Sequence, residues 1–150
     1  MLYHVPEPLL AIREARRVLR PGGRFAAAVN LAETMPLIND VVSAVLAAHG
    51  FERADSAGLI SVDADNLPGM FDVVFSEREV ITVKSALVFH EPEPIIAYCL
   101  TLLTLGGVPA ESAEREPVEA DLDAEIRRRF ADLGGVWRDP KAYIVCVAAK

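Results

Sequence analysis

His4, His49 and His90 are the side chains of this sequence whose ordinary pKa, about 6.5, suits proton transfer at neutral pH. Each has different neighbours. His4 follows Tyr3 ahead of a proline break, where the two could serve a bound nucleophile or hydrogen-bond a turn. His90 precedes Glu91, which reads as a surface pair or as an acid–base pair at the end of a strand. His49 stands before Gly50 and suits the negative end of a helix dipole. Asn30 closes an apolar run, where it could meet a ligand or cap the segment that follows.

Other reactive types are placed less suggestively. Cys99 and Cys146 lie in AYCLTLL and YIVCVAA, surroundings in which a thiol packs as a small hydrophobe; a metal site would cluster Cys and His at ligand spacing. Asp63 and Asp65 form a D-x-D pair without the glycine and distant glutamate of a calcium loop, so loop solvation accounts for them. Arg127-Arg128-Arg129 is offset by Asp121, Asp123 and Glu125 and reads as a solvated helix face. No Ser-His-Asp or Cys-His set stands out, although the members of such sets need not be close in sequence.

The elements that would position these residues alternate between helix and strand. Glu7-Pro8 starts a helix, because proline tolerates the first helical position and the acid favours the positive dipole end. Ile12, Ala15, Val18 and Leu19 recur at helical spacing on one side, with Arg13, Glu14, Arg16 and Arg17 mostly on the other. Pro21-Gly22-Gly23 then turns the chain into an apolar run at 25–29, which reads as a strand buried on both faces, as in a parallel sheet covered by helices.

A second helix is expected over 34–49 and a loop with one short helix over 51–69. Two neighbouring antiparallel strands follow, at 71–80 and 83–89. Glu93-Pro94 opens a helix over 95–105 that is apolar nearly all round, as suits a buried segment or one that covers a pocket or meets a partner. A helix over 122–133 and a strand over 142–148 complete the chain, whose alternation places it in the α/β class.

Composition bounds the partners. With 150 residues, 52% hydrophobic and 25% charged, one domain with one core is expected, spanning 1–150. A net charge of −7 argues against nucleic acid, since each contacted phosphate calls for a Lys or Arg. No apolar run is long enough for a membrane span and no secretory signal opens the chain, so a cytoplasmic protein without membrane contact is expected.

Leu2-Tyr3-His4-Val5-Pro6-Glu7-Pro8, then a helix, then Val18-Leu19-Arg20-Pro21-Gly22-Gly23-Arg24-Phe25, is similar to one stretch of class I S-adenosylmethionine-dependent methyltransferases. It resembles their loop after the fourth strand, the next helix and the glycine turn into the fifth strand. Phe71-Asp72-Val73-Val74, Ala86-Leu87-Val88-Phe89 and Glu91-Pro92-Glu93-Pro94 with Tyr98 resemble the sixth-strand region and substrate-side helix of the small-molecule methyltransferases related to ubiquinone and menaquinone biosynthesis enzymes. The resemblance covers nearly the whole chain.

The resemblance implies a partial Rossmann-like sheet made of strands equivalent to 5, 6 and 7, in the order 5-7-6 with the last strand antiparallel, flanked by helices. It implies S-adenosylmethionine as cofactor and a small molecule as methyl acceptor. His4 would be the catalytic base, Tyr3 and His4 would line the cofactor, and Asn30 and Tyr98 would contact the substrate. A complete family member also has a glycine-rich loop after its first strand and an acidic residue after its second, which let the backbone approach the cofactor and hold its ribose; neither has a counterpart here. The expectation is a methyltransferase-like domain without its N-terminal cofactor-binding half, Met1 being an internal methionine, the start of a truncated gene or the start of an expressed fragment. The chain would then be inactive alone, or a non-catalytic remnant used for oligomerisation. In that arrangement the 25–29 strand has an open edge, so a homodimer or swapped assembly through it is expected.

Overall fold

A computed structural model of the chain describes residues 2–51 and 61–150, so residues 52–60 of the loop expected at 51–69 lie outside the described residues. The elements run in the order 3-10 turn Leu2–His4, α1 Pro8–Val18, β1 Arg24–Asn30, α2 Pro36–Ala48, α3 Leu67–Val74, β2 Arg78–Phe89, α4 Glu93–Leu103, α5 Arg115–Asp132 and β3 Trp137–Ala149. The chain is an α/β protein with a three-stranded antiparallel sheet of order β1-β3-β2. The described residues form two compact units, and the buried apolar residues form two clusters, one within each unit, where a single core was expected. Strands β2 and β3 each give residues to both units.

The first unit holds residues 1–34, 55–85 and 141–150. Pro8 opens α1 as expected, and Ile12 is its buried anchor. The helix stops where Leu19 becomes extended, and Gly22 turns the chain at a φ of +74°, a conformation that a side chain rarely adopts. Gly23 follows with its N–H on the Arg20 carbonyl at 2.8 Å. A Cβ on Gly23 would lie 2.9 Å from that same oxygen.

β1 pairs antiparallel with β3, from Arg24 opposite Ala149 to Asn30 opposite Tyr143. Val29 is buried and Phe25 and Ala27 are half-buried, whereas Arg24, Ala26, Ala28 and Asn30 are exposed. The strand is therefore covered on one face, and the expected two-sided burial is corrected. A run containing three alanines has little apolar surface to hide, and an antiparallel pair tolerates one wet face. Ile144, Cys146 and Ala148 alternate inward along β3 and complete this cluster.

The strand expected at 71–80 is also corrected. Residues 71–74 belong to α3, and β2 is one continuous strand from Arg78. Leu67, Phe71 and Phe75 recur every four residues and are all buried, a helical period that outweighs the β-propensity of Phe and Val. Phe71 stacks on Phe25 at 5.5 Å between ring centroids and meets Phe75 at 5.6 Å.

The second unit holds residues 35–54 and 86–140. Its core joins Ile38, Val41, Val42, Val45 and Leu46 of α2 with Ile95, Ile96, Cys99 and Leu103 of α4, Val118, Leu122 and Ile126 of α5, and Trp137. α4 keeps one wet side, since Ala97, Tyr98 and Thr101 are exposed. α5 begins at Arg115, seven residues before the expected start, because Arg115 anchors its first turn. The guanidinium donates to the carbonyls of Leu100 and Val108 at 3.1 and 3.0 Å and pairs with Glu119. β3 likewise starts five residues early, at Trp137.

Candidate functional site

The residues singled out in the sequence fall in different places. Tyr3 and His4 share the 3-10 turn that precedes α1, with His4 exposed and the Val5 N–H closing the turn on the Leu2 carbonyl at 3.0 Å. Asn30 ends β1 and is exposed. Tyr98 belongs to the second unit, on the wet side of α4, 37% exposed. Its hydroxyl lies 3.8 Å from the Met35 sulfur, to which it donates a weak hydrogen bond.

Met35 is the residue before α2 and the one described non-glycine residue with a positive φ, at 52° with ψ 54°. Its N–H donates to the Pro140 carbonyl at 2.7 Å, and its own carbonyl accepts the Asn39 N–H at 3.0 Å. Two tertiary features hold α2 in this register. Pro36 supplies no N–H at the first helical position, and the next two N–H groups, of Leu37 and Ile38, donate to Oδ1 and Oδ2 of Asp139 at 3.1 and 2.8 Å. Asp139 is fully buried, and the Trp137 indole N–H stands 3.5 Å from its Oδ2. A carboxylate at the positive end of a helix dipole is electrostatically favoured, and here it already occupies the donors that an external anion would use. The sequence reading missed this residue, because its partners lie about a hundred positions away along the chain.

Tyr98 and Met35 thus place a phenol beside a thioether in the second unit. Beyond β1 the chain enters α2 through Leu31, Ala32, Glu33, Thr34 and Met35, with no glycine that would let a phosphate or nucleoside approach the backbone.

Several other candidates resolve into structure. The Asp63 Oδ1 accepts the N–H groups of Asp65 and Asn66 at 2.9 and 2.8 Å, while Asn66 returns its Oδ1 to the Asp63 N–H at 3.0 Å. This is a reciprocal cap on the approach to α3, and the D-x-x-N spacing was its signal in the sequence. Among the described residues no group of three or more His, Cys, Asp or Glu is placed to hold a metal ion. His49 ends α2 with Nε2 2.8 Å from Asp121 Oδ2. Burial pushes the Cys146 thiol up, away from the reactive thiolate.

The arginine run on α5 is neutralised side chain by side chain. Arg127 pairs with Asp123 and Glu93, Arg128 with Glu125 and Asp132, and Arg129 with Glu125 and Asp40. Hydrogen bonds from Arg128 and then Arg129 hold the Glu125 carboxyl down to about 2, and the same carboxylates raise the pKa of the arginines.

No family model matches the chain, and no curated protein matches it. Among solved structures it is similar to the crystal structure of the YcgJ protein from Bacillus subtilis, at 19% sequence identity and a TM-score of 0.41, over 99% of this chain and 61% of that one. The chain spans about three fifths of the length of that protein.

Proposed function

We propose that the chain is the C-terminal part of a class I S-adenosylmethionine-dependent methyltransferase fold that acts on a small molecule, with the cofactor held mainly by residues outside these 150. The observation that carries this reading is the strand order. β3, the last strand, lies between β1 and β2 and runs antiparallel to β1, which fits the 5-7-6 order that the sequence resemblance implies. A terminal strand inserted between two earlier ones is a more specific arrangement than a meander, in which consecutive strands are neighbours.

The residues present do not make a complete cofactor site, since the glycine-rich loop after the family's first strand and the acidic residue after its second have no counterpart among them. Within this reading Tyr3 and His4 border the cofactor, His4 accepts the proton of the methyl acceptor, and Asn30 contacts that acceptor. Bringing acceptor and methyl donor into line supplies most of the rate, so a chain that cannot fix the donor is inactive alone.

Calorimetric titration with S-adenosylmethionine tests the reading in two forms of the protein. The chain alone, shown to be folded by circular dichroism, gives no saturable heat. The chain fused behind the N-terminal half of a small-molecule methyltransferase, ending at its fourth strand, binds in the micromolar range. A folded fusion that takes up no cofactor overturns the assignment, as does tight binding by the chain alone.

A second reading, a non-catalytic oligomerisation module, is favoured by the position of β1 at one edge of the sheet. Its central residues, Phe25, Ala26, Ala27, Ala28 and Val29, carry none of the charges or prolines that protect edges. This reading expects a homodimer or swapped assembly through that strand, and sedimentation as a monomer at micromolar concentration removes it.

A further inference from the structure

The charges of the first unit are distributed against the composition of the chain. The protein has acid to spare, with a net charge of −7, and it covers every arginine of α5 with carboxylates. On α1 and the turn after it the opposite holds: Arg13, Arg16, Arg17 and Arg20 stand against Glu14 alone, while Arg24 at the start of β1 meets Glu79 at 3.8 Å. Glu14 takes Arg17 at 2.7 Å, whereas the Arg13 side chain has no ion pair or hydrogen bond among the described residues. The guanidinium of Arg16 is held 6.0 Å from the centroid of the buried Phe75 ring, a cation–π contact that fixes its direction without cancelling its charge.

Arg13, Arg16 and Arg17 line one cavity of about 420 Å³ with Lys150, Val73 and Val74, all within the first unit. Arg13 is three and four residues from the other two, so the three project from one side of the helix. The Lys150 ammonium donates to the carbonyls of Arg17 and Leu19 at 2.9 and 2.7 Å, which anchors a fourth cation at the end of α1. The opposite wall is apolar: Val73 is 61% exposed and Val74 half-buried. Crowded cations on one side and an uncovered aliphatic wall on the other are both unfavourable in water, and one ligand relieves both.

We propose that this groove binds a small phosphate ester with an apolar substituent, its phosphate between Arg13, Arg16 and Lys150 and its hydrocarbon against Val73. Guanidinium forks match the oxygens of a phosphate, and the cavity volume lies in the range of small-molecule sites. The proposal stands on this charge pattern and does not depend on the methyltransferase reading.

Titration of the full chain with hexyl phosphate, followed by heat and by the amide NMR signals of Val73 and Val74, tests it against inorganic phosphate. Hexyl phosphate is expected to saturate the site and to bind about tenfold more tightly than inorganic phosphate, the scale of about two buried methylenes. Arg13→Gln with Arg16→Gln is expected to weaken it at least about tenfold, the scale of one lost charge-assisted hydrogen bond. Both arginines are exposed, and circular dichroism checks that the variant is folded. A response to poly-glutamate and none to hexyl phosphate, equal affinity for both phosphates, or undiminished binding by the double variant overturns the proposal.

Discussion

Replacing Asp139 tests the account of how α2 is held. In Asp139→Ala the N–H groups of Leu37 and Ile38 lose both acceptors, at positions that are part-buried and buried. Loss of a helix cap costs about 1 kcal/mol. Each buried donor left unpaired costs about 1–3 kcal/mol, and release of the buried carboxylate returns part of this. The net expectation is about 3 kcal/mol, which for a chain of this length lowers Tm by about 9 °C. Asp139→Asn keeps one acceptor oxygen and turns an amide N–H toward the second donor, so about half that loss is expected. Trp137 is the one tryptophan of the chain, fully buried two residues from the substitution, so its fluorescence in a urea titration reports the second unit directly. A loss below about 0.5 kcal/mol in Asp139→Ala, or equal losses in the two variants, would refute the reasoning, because the cap would then be replaceable by water.

Three further outcomes follow from the packing and the charges. Gly106→Ala places a Cβ 2.5 Å from Cδ1 of the fully buried Leu46, and overpacking of this kind is expected to cost about 1–3 kcal/mol in the same fluorescence titration. Phe71→Ala empties the centre of the Phe25–Phe71–Phe75 stack and is expected to cost about 3–5 kcal/mol by circular dichroism; a loss under about 1 kcal/mol refutes a packed aromatic core in the first unit. The Glu125 carboxyl is held below its ordinary 4.5, at about 2, so the stability it contributes is present above pH 4.5 and lost as pH falls toward 2. The contribution of such exposed pairs is about 1 kcal/mol or less, and Glu125→Gln should flatten the acid limb of the stability profile; an unchanged limb removes the pair from the account.

The local signals in the sequence were sufficient for the starts and stops of several elements. Pro8, Pro21-Gly22 and Glu93-Pro94 act through their own backbone geometry, and α1, the turn into β1 and the start of α4 lie where those residues put them. Of the candidate residues, the sequence supplied the types: the adjacent Tyr3 and His4 in one turn, Asn30 at the end of a strand, and Tyr98 on a helix. The exposed arginines of α1 were also legible as one wet face, although nothing local placed Lys150 and Val73 beside them.

Tertiary structure decided what depends on partners remote in sequence. Residues 71–74 have the composition of a strand and became helix because Leu67, Phe71 and Phe75 bury together at a spacing of four. The early start of α5 rests on Arg115 reaching the carbonyls of Leu100 and Val108, and the α2 cap rests on Asp139. The run at 25–29 was visible as a strand, but its single buried face and its antiparallel partner were set by β3, more than a hundred residues later. Propensity and capping act over a few residues and can be read from the sequence, whereas burial and long-range hydrogen bonds exist only once the chain has returned on itself.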